Sequence, residues 1–180
     1  MDLEQALAAL VQARRRFVSE LEGLDENRFS RVPSRETWSA AHIVEHLVRV
    51  ETRVVRGARH ALEKGSSVRP SPWDPLRKLP FRTGLADLVR IRTVAGADPV
   101  RDPPAPLARA AQLERFAATR TATELFLTQL QGRDLSRIWL RHPFFGAFTL
   151  PDMMGWLAWH EERHRRQLIR VRHALSSDPS

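Results

Sequence analysis

The sequence predicts an all-α protein, a four-helix bundle with one long proline-rich crossover. Apolar residues recur every three or four positions in four long segments, the period of a helix with one buried face. Eight of the twelve prolines lie between residues 65 and 107, and this density excludes a long helix there. No segment alternates apolar and polar residues convincingly, so we expect no strand. The 180 residues suit a single domain, residues 1–180.

The first pair of helices is defined by apolar stripes and by residues typical of helix ends. We predict the first helix over residues 3–24, with Arg14 interrupting its apolar face. The second begins near Ser39, a residue type that caps helix N-termini, and runs to about Lys64. Gly65 then ends it.

The second pair of helices follows the crossover. We predict the third helix over residues 107–131. The fourth starts at residues 149–152, which supply a cap, a first-turn proline and an acid, and it runs to about Leu175. Within the crossover, residues 65–107, only residues 83–92 are compatible with a short helix. A connection of this length is either functional, such as a lid, or a plain surface crossover, and the sequence leaves both open.

Charge and composition limit the classes of function. The formal net charge is +8, and 27 of the 29 basic residues are arginines. The absence of cysteine excludes disulfides, cysteine-ligated metals and a cysteine nucleophile. We find no secretory signal and no apolar run that could cross a bilayer, so we expect a cytoplasmic protein with no membrane partner. Arginine clusters such as residues 14–16 are typical of a solvated helix face, which leaves nucleic-acid binding a minor alternative.

Two histidines occupy apolar positions of the fourth helix. His160 and His164 fall on the buried stripe, four residues apart, so their rings lie on the same helix face. Two buried imidazoles need partners for all their nitrogens, and a divalent cation satisfies both rings together. The alternative is a pair of core histidines hydrogen-bonded to backbone or carboxylates. The spacing on the stripe favours the metal.

The second helix offers a third ligand. At about 100° per residue, His46 lies about 60° from the centre of the buried face and His42 about 100° from it. His46 is therefore the better ligand, and His42 is a partly exposed residue or a residue behind the ligands. Trp159 precedes His160 and either lines a pocket or belongs to the core. His142, in the linker before the fourth helix, either covers the mouth of the site or packs the linker against the bundle.

Three segments resemble the motifs of DinB-like proteins, the superfamily that includes the YfiT-like metal-dependent hydrolases. Residues 38–47 resemble the "W-S … E-H-L" segment that opens the second helix of that family. Residues 142–150 resemble its "H-P-x-x-G-x-x-T/S" linker, and residues 160–168 its closing "H-x-x-x-H-x-x-Q-I/L" motif. The three segments occur in the family's order, whereas residues 65–107 match nothing specific.

The resemblance implies an up-down-down-up bundle, often a homodimer, with a divalent metal held by three histidines. Carried over position by position, the ligands are His46, His160 and His164, and Gln167 lies behind the ligands or in the pocket. The metal is zinc or nickel, with iron, manganese or copper as alternatives. The wider superfamily includes thiol-dependent transferases and isomerases, which implies a small-molecule substrate and a low-molecular-weight thiol as partner.

Residues 160–164 also match the H-E-x-x-H pattern of zinc peptidases. A peptidase of that class needs a third ligand further along the chain, but Arg170 stands where a metzincin has its histidine and no glutamate follows His164. Glu45 and Glu161 lie about 100° around their helices from the adjacent histidines, which favours solvent or interhelical roles. We therefore assign no general base.

The sequence thus predicts a three-histidine metal site with an open coordination position, the arrangement of catalytic rather than structural metal sites. The predicted activity is that of a metal-dependent enzyme, either a thiol-dependent S-transferase or a hydrolase acting on a small molecule. Two alternatives remain. One is a metal-binding or small-molecule-binding protein without catalysis, and the other is an arginine-rich nucleic-acid-binding bundle.

Overall fold

The computed structural model confirms the four-helix bundle. It describes residues 1–34, 37–78, 96–101, 105 and 107–177. The elements in chain order are α1 (Leu3–Leu21), α2 (Glu26–Ser30), α3 (Ala40–Lys64), α4 (Asp74–Arg77), α5 (Arg109–Thr128), β1 (Trp139–His142), β2 (Gly146–Thr149) and α6 (Leu150–Ser176). Helix α1 packs along α6, and α3 packs along α5. None of the helices in the described part of the chain is long and apolar enough to span a bilayer.

Capping residues set the starts of α3 and α6 where the sequence predicted them. The hydroxyl of Ser39 accepts from the backbone N–H of His42 at 3.2 Å. The hydroxyl of Thr149 accepts from the N–H of Asp152 at 3.4 Å, with Pro151 in the first turn. These bonds satisfy N–H groups that have no partner inside the helix, and both predicted starts are confirmed.

Two helices are shorter than predicted. Helix α1 ends at Leu21 rather than at residue 24, and α5 covers only Arg109–Thr128 of the predicted 107–131. After α1, the Asp25 side chain accepts from the N–H of Arg28 at 2.7 Å and starts the separate short helix α2. The acidic residues that follow the first helix, Asp25 and Glu26, therefore begin another one.

The structure contains a β-hairpin where we expected no strand. Strands β1 and β2 pair antiparallel, with Trp139 opposite Thr149 and His142 opposite Gly146. Each strand has only four residues, and three of the four in β2 are buried. Strand β2 is buried on both faces and therefore shows no alternation, and β1 is too short to show a period of two, which is why the sequence prediction was wrong here.

Part of the crossover lies within the described residues. Helix α4 is a single four-residue turn, Asp74–Arg77, and residues 96–101 form turns before α5. The short helix considered for residues 83–92 lies outside the described residues.

The apolar core has two clusters separated by one layer of buried charge. On each long helix, one buried charged residue separates members of the first cluster from members of the second along the chain: Arg14 on α1, Glu51 on α3, Arg120 on α5 and Glu161 on α6. One cluster includes Leu10, Phe126, Met154 and Leu157, and the other includes Phe17, Ile43, Phe116 and Leu168. The arginine that interrupted the predicted stripe of the first helix belongs to this layer.

Candidate metal centre

Three histidines from distant parts of the chain converge in the bundle. His46 lies on α3, and His160 and His164 lie one turn apart on α6. All three are buried, and one nitrogen from each ring lies within 4.8 Å of the others. The Nε2 atom of His160 is 3.2 Å from Nε2 of His46 and 3.2 Å from Nε2 of His164. The structure therefore brings together the three residues that the sequence selected.

Hydrogen bonds on the opposite sides of two rings fix their tautomers. His46 Nδ1 lies 2.7 Å from the carbonyl oxygen of Ala97, and His164 Nδ1 lies 2.8 Å from Oε1 of Gln167. Since carbonyl and amide oxygens only accept, each Nδ1 carries the proton and donates it. The Nε2 atoms of both rings are then unprotonated, each with a lone pair beside His160.

The third ring has no such partner. His160 Nδ1 is buried and without a hydrogen-bond partner among the described residues, while its Nε2 meets the lone pairs of two neighbours. One proton on that nitrogen cannot serve both neighbours well, whereas a divalent cation accepts a lone pair from all three rings. Two nitrogen ligands of a tetrahedral zinc ion lie about 3.3 Å apart. The observed 3.2 Å separations match that geometry.

Burial keeps these rings neutral. The pKa values of His160 and His164 lie well below the usual value of 6.5, first because burial desolvates the charged form and then because of neighbouring histidines and the charge of Arg163. The pKa of His46 is also lowered by desolvation, against which its hydrogen bond to Ala97 acts in the opposite direction. Neutral imidazole is the form that binds a metal, so the site is prepared for ligation.

Two tryptophans pack on the histidine rings. The Trp38 ring stacks on His164, with centroids 6.0 Å apart and planes 10° from parallel, and it lies 5.0 Å from His46. The Trp156 ring lies 4.9 Å from His160. The aromatic rings hold the imidazole planes in position and shield them from water.

Trp159 and His142, the two other aromatic candidates, have contacts of their own. Trp159 is half-buried, packs against the apolar core, and has the guanidinium of Arg163 6.0 Å from its ring. His142 ends β1, and its Nδ1 accepts from the backbone N–H groups of Phe144 and Phe145, both at 3.1 Å. Its ring lies 4.4 Å from the Trp156 ring, and Trp156 in turn packs on His160. Burial lowers the pKa of His142 to about 4.

The second histidine of α3 caps the helix. His42 is half-buried, and its Nδ1 accepts from the backbone N–H of Ser39 at 3.3 Å. This bond completes a reciprocal capping box, a local role that the helical wheel did not reveal. His42 is not among the three rings that converge.

The glutamate of the H-E-x-x-H sequence belongs to another buried centre, an ion ring formed by Arg14, Glu51, Arg120 and Glu161. Arg14 donates to Glu161 at 2.5 Å and to Glu51 at 2.8 Å. Arg120 donates to the same carboxylates, to Glu51 at 2.8 Å and to Glu161 at 2.7 Å. Of the two roles that we expected for Glu161, solvent-facing or interhelical, the structure shows the interhelical one.

The ion ring also corrects one expectation. We expected residues 14–16 to form a solvated face, but Arg14 is buried, and its guanidinium carbon lies 3.5 Å from the centre of the Phe116 ring. Glu51 and Arg120 were missed altogether, because no local pattern identifies charges that pair across helices. Glu45, beside His46, is likewise buried and paired, with Arg49 at 2.6 Å and with Arg115.

Sequence reasoning also missed two contacts at the histidine centre. A backbone carbonyl such as that of Ala97 leaves no mark in a sequence. Trp38 stood within the first motif, but only the fold brings its ring against His164. Gln167 had a signal, since it follows His164 by three residues on a helix and therefore lies on the same side.

Comparisons with known proteins agree with this architecture. A model of the DinB superfamily matches residues 9–168. The uncharacterized protein YuaE of Bacillus subtilis (strain 168) is 21% identical over 165 residues, which cover 91% of this chain and 95% of that protein. The fold is similar to YfiT from Bacillus subtilis, described as a probable metal-dependent hydrolase with an unusual four-helix bundle topology. That match has a TM-score of 0.60 and 13% identity, and it covers 98% of this chain and 89% of YfiT.

Proposed function

This chain belongs to the DinB superfamily, whose model spans residues 9–168, and on that premise we propose that it is a metal-dependent enzyme acting on a small molecule. The proposed ligands are His46, His160 and His164. One observation carries the proposal: Nε2 of the buried His160 lies 3.2 Å from Nε2 of both His46 and His164, the separation expected of two ligands to one ion, and all three ligand atoms lie within 4.8 Å of one another. Without an ion, the lone pairs of His46 and His164 and the unpartnered Nδ1 of His160 leave these buried polar groups incompletely satisfied, which is unfavourable.

The donor set favours a borderline divalent ion. Imidazole suits zinc, nickel, copper and iron, and we propose zinc or nickel, with iron, manganese or copper as alternatives. Three protein ligands leave a coordination position for substrate, as in catalytic rather than structural sites. When bound, the ion would act as a Lewis acid.

The residues around the site orient the ligands. Ala97 and Gln167 hold the rings of His46 and His164 through their Nδ1 atoms, which fixes the tautomer that presents Nε2. The rings of Trp38 and Trp156 exclude water from the imidazole planes. Among the described residues, the carboxylates next to the ligands in sequence are held by arginines. We therefore assign no catalytic acid or base.

We propose hydrolysis as the reaction class, in line with the description of YfiT. Thiol-dependent S-transfer is the second candidate. Because the chain has no cysteine, the sulfur nucleophile of such a reaction would be a low-molecular-weight thiol supplied as co-substrate. A homodimer belongs to the same proposal, and the mass of the particle in solution tests it.

Metal content tests the proposal directly. Protein purified without a histidine tag and reconstituted with zinc or nickel is expected to hold one ion per chain, measured by mass spectrometry of the digested protein. His160→Ala is expected to lose the ion. The matched control is His60→Ala on α3, an exposed histidine outside the cluster, which is expected to retain it. Equal metal content in His160→Ala and the parent protein would exclude the site.

Turnover separates the reaction classes. The metal-loaded protein is assayed against ester, amide and electrophilic substrates, with and without a small thiol. Hydrolysis without thiol supports the hydrolase, and product formed only with thiol supports the transferase. Bound metal without turnover of any substrate would favour a binding protein without catalysis.

A further inference from the structure

A basic groove lies between α3 and α5, next to the loop that contacts His46. Its volume is about 440 Å³. The charged residues and the glycine that line it are Glu45, Arg49, Arg53, Arg56, Gly96 and Arg115. Among the described residues of its lining, four arginines thus face one carboxylate, and this part of the groove carries excess positive charge.

The carboxylate holds two of the arginines in place. Glu45 accepts from Arg49 at 2.6 Å through one oxygen and from Arg115 through the other. Its side chain is 4% exposed, whereas those of Arg49 and Arg115 are 20% and 39% exposed. The buried carboxylate therefore holds both arginine side chains in place while they still reach solvent. Because these side chains are already ordered, they lose less conformational entropy when a ligand binds.

A third arginine lies against the loop. An ideal Cβ placed on Gly96 would stand 2.8 Å from Nη2 of Arg53, so the missing side chain makes room for the guanidinium. Gly96 has φ +74°, a conformation that glycine adopts without strain. The next residue is Ala97, whose carbonyl binds His46. One short loop therefore forms both the wall of the groove and the support of the histidine centre.

A buried donor in the groove lining has no acceptor. The Nε atom of Arg115 is buried and unpartnered within the part of the chain that the structure describes. A buried guanidinium N–H without an acceptor is unfavourable, and hydrogen bonds between a guanidinium and an oxyanion are among the strongest in proteins. The Nε atom itself is closed to the groove, but the Arg115 side chain is 39% exposed, so a ligand would meet its outer part. The excess positive charge of the described lining indicates that this ligand is an anion.

We propose that the groove binds a small molecule carrying two or more negative charges on phosphate or carboxylate groups. Arg49, Arg53 and Arg56 follow one another at four- and three-residue steps along α3, a span of about 10 Å, which a single small charge cannot cover. The volume lies in the range of small-molecule sites, about 300–1,000 Å³.

The groove adds a second ligand site beside the proposed metal centre and does not depend on it. Arg49 follows His46 by three residues on α3, so a residue of the groove lies within one helical turn of a proposed metal ligand. The site binds its anion through arginine alone. It therefore persists in metal-free protein.

Calorimetric titration of the metal-free full chain tests the proposal, with inorganic pyrophosphate as the phosphate probe and citrate as the carboxylate probe. At least one probe is expected to bind at low ionic strength, and Arg56→Gln is expected to weaken that binding about tenfold. The control is Arg133→Gln, which removes the same charge from an exposed linker position outside the groove and is expected to leave affinity unchanged. His46→Ala is expected to retain binding, which separates this site from the metal centre.

Three results would overturn the proposal. One is that neither pyrophosphate nor citrate binds. Another is equal weakening by Arg56→Gln and Arg133→Gln, which would show a response to overall charge only. The third is a short DNA duplex that binds more tightly than both probes and loses affinity in Arg56→Gln, which would make the groove a nucleic-acid site.

Discussion

His160 and Glu161 are neighbours on α6 and belong to different buried centres. His160 Nε2 lies 3.2 Å from the nitrogens of two other histidines, and the Glu161 carboxylate lies 2.5 Å from a nitrogen of Arg14. Successive side chains of a helix point about 100° apart, so one turn of α6 supplies both centres. Because the ion ring takes one residue from each long helix, it fixes the rotation of α6 that directs His160 towards His46.

The ion ring should contribute strongly to stability as long as it is complete. Glu161→Gln keeps the shape of the side chain and removes its charge, which leaves Arg14 and Arg120 without half of their compensation. Breaking a buried ion pair from one side is expected to lower the free energy of unfolding by about 3 kcal/mol. Denaturant unfolding followed by circular dichroism measures this loss.

The next residue provides the control. Glu162 pairs with Arg165 at 2.9 Å and with Arg16 at 3.4 Å, in ion pairs that reach solvent. Glu162→Gln is expected to lower the free energy of unfolding by less than about 1 kcal/mol. Similar losses in the two variants would mean that the ring contributes no more than a surface pair.

The amide that holds His164 should affect metal affinity rather than folding. Gln167→Leu removes the acceptor of the His164 Nδ1 proton, which frees the ring to rotate and to change tautomer. Loss of such a supporting hydrogen bond is expected to weaken metal binding about tenfold or more. Competition with a chromophoric chelator measures the affinity.

Gln167→Glu supplies the matched test, since its carboxylate also accepts from Nδ1 and is expected to keep or raise the affinity. The exposed Gln129, which follows the last residue of α5, is the control position, and Gln129→Leu is expected to leave the metal affinity unchanged. An unaltered affinity in Gln167→Leu would show that the hydrogen bond does not support the ligand.

The four long helices and the three histidines could be predicted because each depends on a local period. An apolar stripe needs a residue every three or four positions, and His160 and His164 stood out because they interrupt such a stripe. The starts of α3 and α6 could be predicted because a capping side chain bonds to the backbone of the next turn, so its signal is also local.

The rest depends on partners far apart in the chain. Glu51 meets Arg14 and Arg120 only after the helices have packed, and nothing near residue 51 announces that contact. The carbonyl of Ala97 supports His46 from 51 residues away. The hairpin escaped detection because four-residue strands do not extend over enough residues to show a period of two.

Gly146 belongs to the linker motif and is the first residue of β2, and a substitution can test whether the hairpin requires glycine there. Gly146 has φ +80°, and an added Cβ would lie inside contact distance of the buried Asp74 carboxylate. Gly146→Ala therefore meets both backbone strain and a clash, and we expect it to lower the free energy of unfolding by about 3 kcal/mol. Gly132 has a similar φ of +76° with no atom within 4 Å of the added Cβ, so Gly132→Ala isolates the strain, at about 1 kcal/mol. Equal losses of unfolding free energy in Gly146→Ala and Gly132→Ala would show that the clash with Asp74 contributes nothing.

Acid should destabilise the protein through His142. Its pKa is lowered to about 4 by burial, while the unfolded chain keeps the usual value of 6.5. Between these values the unfolded state binds the proton that the folded state refuses, so stability falls as the pH drops below about 6.5. By about pH 5 this histidine alone is expected to remove about 2 kcal/mol from the free energy of unfolding.

The variant His142→Asn isolates this contribution, since asparagine does not titrate and the three clustered histidines are common to both proteins. Unfolding in urea is compared at pH 7 and at about pH 5, and the parent protein is expected to lose about 2 kcal/mol more than the variant. The backbone N–H groups of Phe144 and Phe145 donate to His142 Nδ1, so protonating that nitrogen also breaks two hydrogen bonds of the hairpin turn. Parallel pH profiles for the two proteins, or a ring titration near 6.5 by nuclear magnetic resonance, would show that the folded state accepts the proton freely.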